Sequence, residues 1–261
     1  MLPPEIPSRV NCTHREGKLF MRKYRQSLMF LAAGLLTVIA PAAASAASAG
    51  TAPAMTPAAA AAAVPTLTLN ALGGPAAVPG DMLSSSLTPG TQLSLTTAPA
   101  GPQGLFCKQS VWNGQLLANP PVGGLAVIRV LPPATTIAAC VDNNPTVIGV
   151  TGVVVNNLPD MLQVTGAGAF PIQLVPTAAP IQIVATLTTT GPPTVVCTYQ
   201  AAGVLNGNTS LGLNPWMFVN QPFQLVGGPL PACGVNPQDF INVNYSPVID
   251  LTKAGANVYV N

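Results

Sequence analysis

The most regularly placed reactive groups in this chain are four cysteines. Cys107 and Cys140 lie 33 positions apart, and Cys197 and Cys233 lie 36 apart. A fifth, Cys12, stands alone near the N-terminus. Beyond residue 46 there is no His and no Glu, since His14, Glu5 and Glu16 all precede it. Ser–His–Asp and Cys–His catalysis therefore have no base, and a His/Cys zinc set has no His. The acids that remain are Asp81, Asp142, Asp160, Asp239 and Asp250. Paired-carboxylate hydrolysis needs two of them within roughly 5–10 Å. Asp239 and Asp250, at the ends of what read as neighbouring strands, are the candidates for such a pair. Asp142-Asn143-Asn144 carries oxygen donors of the calcium type but lacks further carboxylates, and such clusters form turns by default. Asn208-Thr209-Ser210 fits a glycosylation acceptor. Trp112 and Trp216, if exposed, would offer flat rings for stacking on a sugar or lipid ligand. The expectation for cofactors and metals is none.

The N-terminal fifty residues set the compartment. Met21-Arg22-Lys23-Tyr24-Arg25 is basic, Ser27 to Ala40 is apolar, and small residues follow at Ala44-Ser45-Ala46 and Ala47-Ser48-Ala49. That order is the pattern of a secretory signal peptide. The apolar run is shorter than the roughly 20 residues of a spanning helix. Residues 1–20 are polar and Pro-rich and read as a leader or an over-extended start, with Met21 the better initiator. Residues 21–46 read as the signal peptide and residues 47–65, rich in Ala, Pro and Thr, as a linker. Once the first 46 residues are removed, the cations are Lys108, Arg129 and Lys253, against five aspartates. Three scattered cations make no nucleic-acid footprint, and the mature chain holds no transmembrane segment. The four remaining cysteines of an exported chain read as two disulfides.

The elements that must position these groups are strands. Charged residues are 6% of the chain and hydrophobic ones 49%, against roughly 25% charge in an ordinary domain. Apolar residues come in short alternating runs rich in Val, Ile and Thr, such as LAVIRVL (125–131), VIGVTGVVV (147–155) and IQIVATLTTT (181–190). Such runs, broken by Pro and Gly, predict an all-β chain. In the last run Ile181, Ile183, Ala185 and Leu187 share one face. Two stretches also match at an offset of about 90 residues: GTQLSLTTAPAGPQGLFC (90–107) and PIQIVATLTTTGPPTVVC (180–197). The second cysteines correspond too, in CVDNNP (140–145) and CGVNP (233–237). This predicts a duplicated module, with one immunoglobulin-like β-sandwich over 66–157 and another over 158–261. A duplicated module brings its own bridge, so the expected pairs are Cys107–Cys140 and Cys197–Cys233. Each is expected to pin a long loop to its sandwich.

The second unit carries VVCTYQAAGVLNG, NQPFQLVGGPLPACGVNPQDFINVNYSPVID and a terminal VYVN. It resembles the C-terminal region of uncharacterised secreted actinobacterial proteins. The resemblance implies export and a disulfide-pinned β-sandwich, and it implies no catalytic residue. The expectation for function is a non-enzymatic, secreted or cell-envelope-associated protein. It would act by adhesion, on an envelope polymer or on itself, because a charge-poor surface favours contact. A glycan- or lipid-binding module using Trp112 or Trp216 is the alternative, and an Asp-dependent hydrolase a remote one.

Overall fold

The computed structural model describes residues 63–132, 136–166, 171–209 and 215–261. The stretches expected to be leader and signal peptide, and most of the expected linker, lie outside the described residues. The strands, in chain order, are β1 (Leu67–Leu69), β2 (Met82–Leu87), β3 (Leu93–Thr96), β4 (Gly104–Ala118) and β5 (Leu125–Val130). There follow β6 (Thr136–Asp142), β7 (Val147–Asn156), β8 (Asp160–Thr165), β9 (Pro171–Val175) and β10 (Gln182–Thr189). The last are β11 (Thr194–Ala201), β12 (Leu205–Thr209), β13 (Trp216–Gly227), β14 (Gln238–Asp250) and β15 (Ala256–Val260). The chain is all-β, and every strand pairing among the described residues is antiparallel.

Alternation explains the strands locally. In β10, Ile183, Ala185 and Leu187 are buried while Val184 turns outward, as a period of two requires. In β14 the buried positions Asp239, Ile241, Val243 and Tyr245 alternate in the same way. The longest strand, β4, passes through Asn113-Gly114 without turning. A Cβ at Gly114 would stand 2.7 Å from Ile128 Cγ2 and 3.0 Å from the Arg129 carbonyl, so this glycine lets β5 close on β4.

The pairings form two closed circuits that share the long strands β4, β13 and β14. The first runs β3–β4–β6–β7–β10–β11–β13–β14 and returns to β3. The second runs β2–β4–β5–β8–β9–β12–β13–β14 and returns to β2. β15 extends from the end of β14, and β1 pairs with it.

This corrects the expectation of two tandem sandwiches divided at 157/158. Across that boundary β5 pairs with β8, β7 with β10, and β2 and β3 with β14. The described residues belong to one compact unit. The 90-residue correspondence is visible instead as reciprocal pairing. β3 matches β10 and β7 matches β14, so the contact β3–β14 is answered by β10–β7. Neither half is closed by itself, and each covers the other's edges.

Candidate functional site

Both expected disulfides form, and they do different work. Cys107 and Cys140 are direct partners on β4 and β6, with Cα atoms 3.9 Å apart. This bridge therefore joins two neighbouring strands, and the expected loop pin does not apply to it. Cys197 on β11 joins Cys233 in the segment between β13 and β14, with Cα atoms 5.4 Å apart. There the Pro/Gly-rich approach to β14 is fastened to β11, the loop pin that was expected.

The two tryptophans are buried, so neither offers the exposed ring that stacking on a ligand was expected to use. Trp112 and Trp216 are 5% and 1% exposed and stack on each other, centroids 5.2 Å apart at 16°. They sit on the shared strands β4 and β13, whose inward positions face one interior. Which way these two side chains point was not legible from the sequence, because alternation alone does not say which face of a strand lies inside. With Phe218, Phe223, Ile241 and Val243 they line an apolar cavity of about 90 Å³. The Trp216 indole N–H has no partner there, and Tyr245 Oη shares a 2.7 Å hydrogen bond with Ser110 Oγ beside it. Burial pushes the Tyr245 hydroxyl up to about 12.

The expected Asp239–Asp250 pair does not meet. Both residues lie on β14, near its two ends, so roughly 35 Å of extended strand separates them. Asp250 instead joins Asp81. The single hydroxyl proton of Thr252 is shared between Asp81 Oδ1 at 3.0 Å and Asp250 Oδ1 at 2.5 Å, and Lys253 Nζ lies 3.9 Å from Asp81. Burial pushes the Asp81 carboxyl up. Hydrogen bonds from the Val78 N–H and Thr252, a contact with Asp250 and the Lys253 charge outweigh this and hold it below its ordinary value. This cluster anchors the turn after β14 to the start of β2.

The acid that Asp239 does meet is Asp142, the last residue of β6. Both line a cleft of about 300 Å³ at the Cys197–Cys233 end of the first circuit. Its buried floor is Leu95, Leu105, Tyr199, Cys233 and Asp239, and its exposed rim includes Gln103, Pro145, Pro231 and Val235. Gly234, at φ +125°, brings backbone beside Asp239, and a Cβ there would lie 3.7 Å from both carboxylate oxygens. Burial, then the charge of Asp142, pushes the Asp239 carboxyl up to about 7. Burial also pushes Asp142 up, although the Asn144 N–H donates to its Oδ1 at 2.8 Å. Tyr199 Oη donates to the Cys233 carbonyl at 2.8 Å, and burial with the charges of Asp239 and Asp142 raises it well above the phenol range.

Asp142-Asn143-Asn144 serves as a turn. The Asn143 amide bonds the Pro102 carbonyl, and its oxygen accepts from the Gly104 N–H. Asn144 donates to the Pro231 carbonyl at 2.7 Å and accepts from the Thr146 N–H and hydroxyl. No group of three metal-binding side chains occurs among the described residues. Asn208 is exposed on β12, while Ser210 lies outside the described residues. Each acid of the cleft follows the second cysteine of its half within six positions, and this was the one sequence signal for the pair.

Comparison with protein-family models, curated proteins and solved structures finds no match to this chain.

Proposed function

We propose that this chain is an exported, cell-envelope-associated protein that acts by association and has no catalytic turnover. The signal-peptide pattern and the resemblance to secreted actinobacterial proteins support the location. The observation that carries association is the outer face of β6, β7, β10 and β11. Val141, Ile148, Val154 and Val196 are 58%, 67%, 54% and 50% exposed there. Their neighbours on β10, in register with β7 and β11, are Val184, Thr186 and Thr188. Uncharged apolar surface of this kind marks contact sites. Among the described residues no helix is long and apolar enough to cross a membrane.

The test is fractionation of a producing culture and a pull-down on isolated envelope polymer. Wild type is expected in the envelope fraction, with a processed N-terminus near Ala47 or Gly50. Val154→Asp with Val196→Asp is expected to release it while leaving the β circular-dichroism spectrum unchanged. Wild type found wholly free, or a double variant that binds equally, would refute the reading. A second reading, Asp-dependent hydrolysis, has the Asp142–Asp239 cleft in its favour. A hydrolase panel in which turnover is present and lost on Asp239→Asn would establish it.

A further inference from the structure

We infer that the cleft floored by Tyr199 and Asp239 binds a small organic cation, a primary ammonium on a short aliphatic chain, through the Asp142 and Asp239 carboxylates. The site stands apart from the outer sheet face and does not depend on it. Asp239 is 2% exposed and lines the cleft, yet its carboxyl accepts no hydrogen bond from the described residues. With no protein donor beside it, the open space of the cleft in front of this carboxyl is where a ligand's donor would sit.

No protein cation supplies that donor. Among the described residues Lys253 is beside Asp81, Arg129 donates to Gln115 at 2.8 Å, and Lys108 is exposed on β4. Two acids therefore face one cavity with no counter-charge. The shape selects among cations. At about 300 Å³ the space suits a small molecule, and the walls Leu95, Leu105 and Val235 suit methylene groups. A calcium ion needs 6–8 oxygen ligands. The Asn144 oxygen is already taken by Thr146, and Asp142 Oδ1 by the Asn144 N–H. An ammonium needs three acceptors, which the two carboxylates supply.

The groups facing Asp239 are Asp142 from β6 and Tyr199 from β11, while Cys233 is held in its disulfide. In the free protein a proton occupies the Asp239 carboxyl below about 7. A cationic ligand displaces it, so binding strengthens as pH rises.

The experiment is calorimetric titration of the oxidised, exported chain with n-butylammonium chloride, n-butanol and calcium chloride. At pH 8 the ammonium is expected to bind with a dissociation constant of about 1 mM, and butanol at least about tenfold more weakly. Asp239→Asn is expected to weaken ammonium binding about tenfold or more. Wild type at pH 5 is expected to show a loss of similar size. Asp142→Asn keeps an acceptor for the Asn144 N–H, so it remains informative should the Asp239 variant not fold; it is expected to weaken binding at least about threefold. Equal binding of butanol and butylammonium, preference for calcium, ammonium binding that ignores pH, or no heat up to about 50 mM ligand would each overturn the inference.

Discussion

Replacing Asp239 by Asn should make the protein more stable at pH 8 and flatten its stability between pH 5 and 8. The folded protein raises this carboxyl from 3.8 to about 7, by burial first and by the charge of Asp142 second. At 1.36 kcal/mol for each tenfold change in proton affinity, ionised Asp239 costs the native state about 4 kcal/mol. Because the native state holds its proton to about 7 and the unfolded chain releases it near 4, the native state binds more protons between those values. Stability must then fall as pH rises through this window, with the cost absent below it and complete above it. About 2–3 kcal/mol of that change lies between pH 5 and 8. Asp142 and Asp160 are also raised by burial, so they act in the same direction. Asp81 is lowered, and the stability it contributes is lost only in more acid solution, as pH falls through its native value. For a domain of this size each kcal/mol moves the midpoint by about 2–4 °C. The wild-type melting temperature should therefore drop by roughly 5–10 °C from pH 5 to pH 8. Thermal melts of the oxidised protein at half-unit steps, for wild type and Asp239→Asn, measure it. A wild-type midpoint that is level or rises over this range, or an Asp239→Asn protein with an undiminished slope, would refute the reasoning.

Two further expectations concern the scaffold. Cys197→Ser with Cys233→Ser releases the segment before β14 and closes a 36-residue separation no longer, so urea denaturation should show a loss of roughly 3–4 kcal/mol. The same double change should leave Cys107 and Cys140 linked in non-reducing peptide maps. Trp216→Ala should cost about 3–5 kcal/mol, as for other large core truncations. Because both tryptophans are buried against each other, native emission should resist iodide quenching until the protein unfolds.

The strands with the strictest alternation were legible as strands, and their inward faces were legible too. Ile183, Ala185 and Leu187 on β10 are the clearest instance, since Pro and Gly bracket a run with period two. The two bridges were legible because Cys107 and Cys197 recur in matching context. The nature of the first bridge was not, because Cys140 sits beside Pro and Asn that look like a loop while β6 runs through it as a strand. The continuity of β4 was hidden for a similar reason. Asn113-Gly114 is turn chemistry by composition, and only the approach of Ile128 and Arg129 makes the glycine a strand residue. Asp142 and Asp239 are 97 positions apart in chain order, and no local pattern reports a contact made through strands of opposite halves.

Those long-range pairings also explain why a duplicated pattern did not yield two modules. A half-chain ending in β7 would present β3, with Leu93 and Leu95, and the Val-rich β7 as open edges, free to recruit another strand. The second half has the same liability at β10 and β14. Pairing β3 with β14 and β7 with β10 satisfies all four edges at once. The relation is the one a two-fold dimer uses, in which each partner's contact is returned by the other, here carried out within one chain. The cleft follows from this closure. Asp142 ends a strand of one half and Asp239 begins the last long strand of the other, and the circuit that joins the halves turns both carboxylates toward Tyr199. The acids that a single module would have left in separate, wet turns are thereby placed in one cavity, where burial raises both and the charge of Asp142 raises Asp239 further.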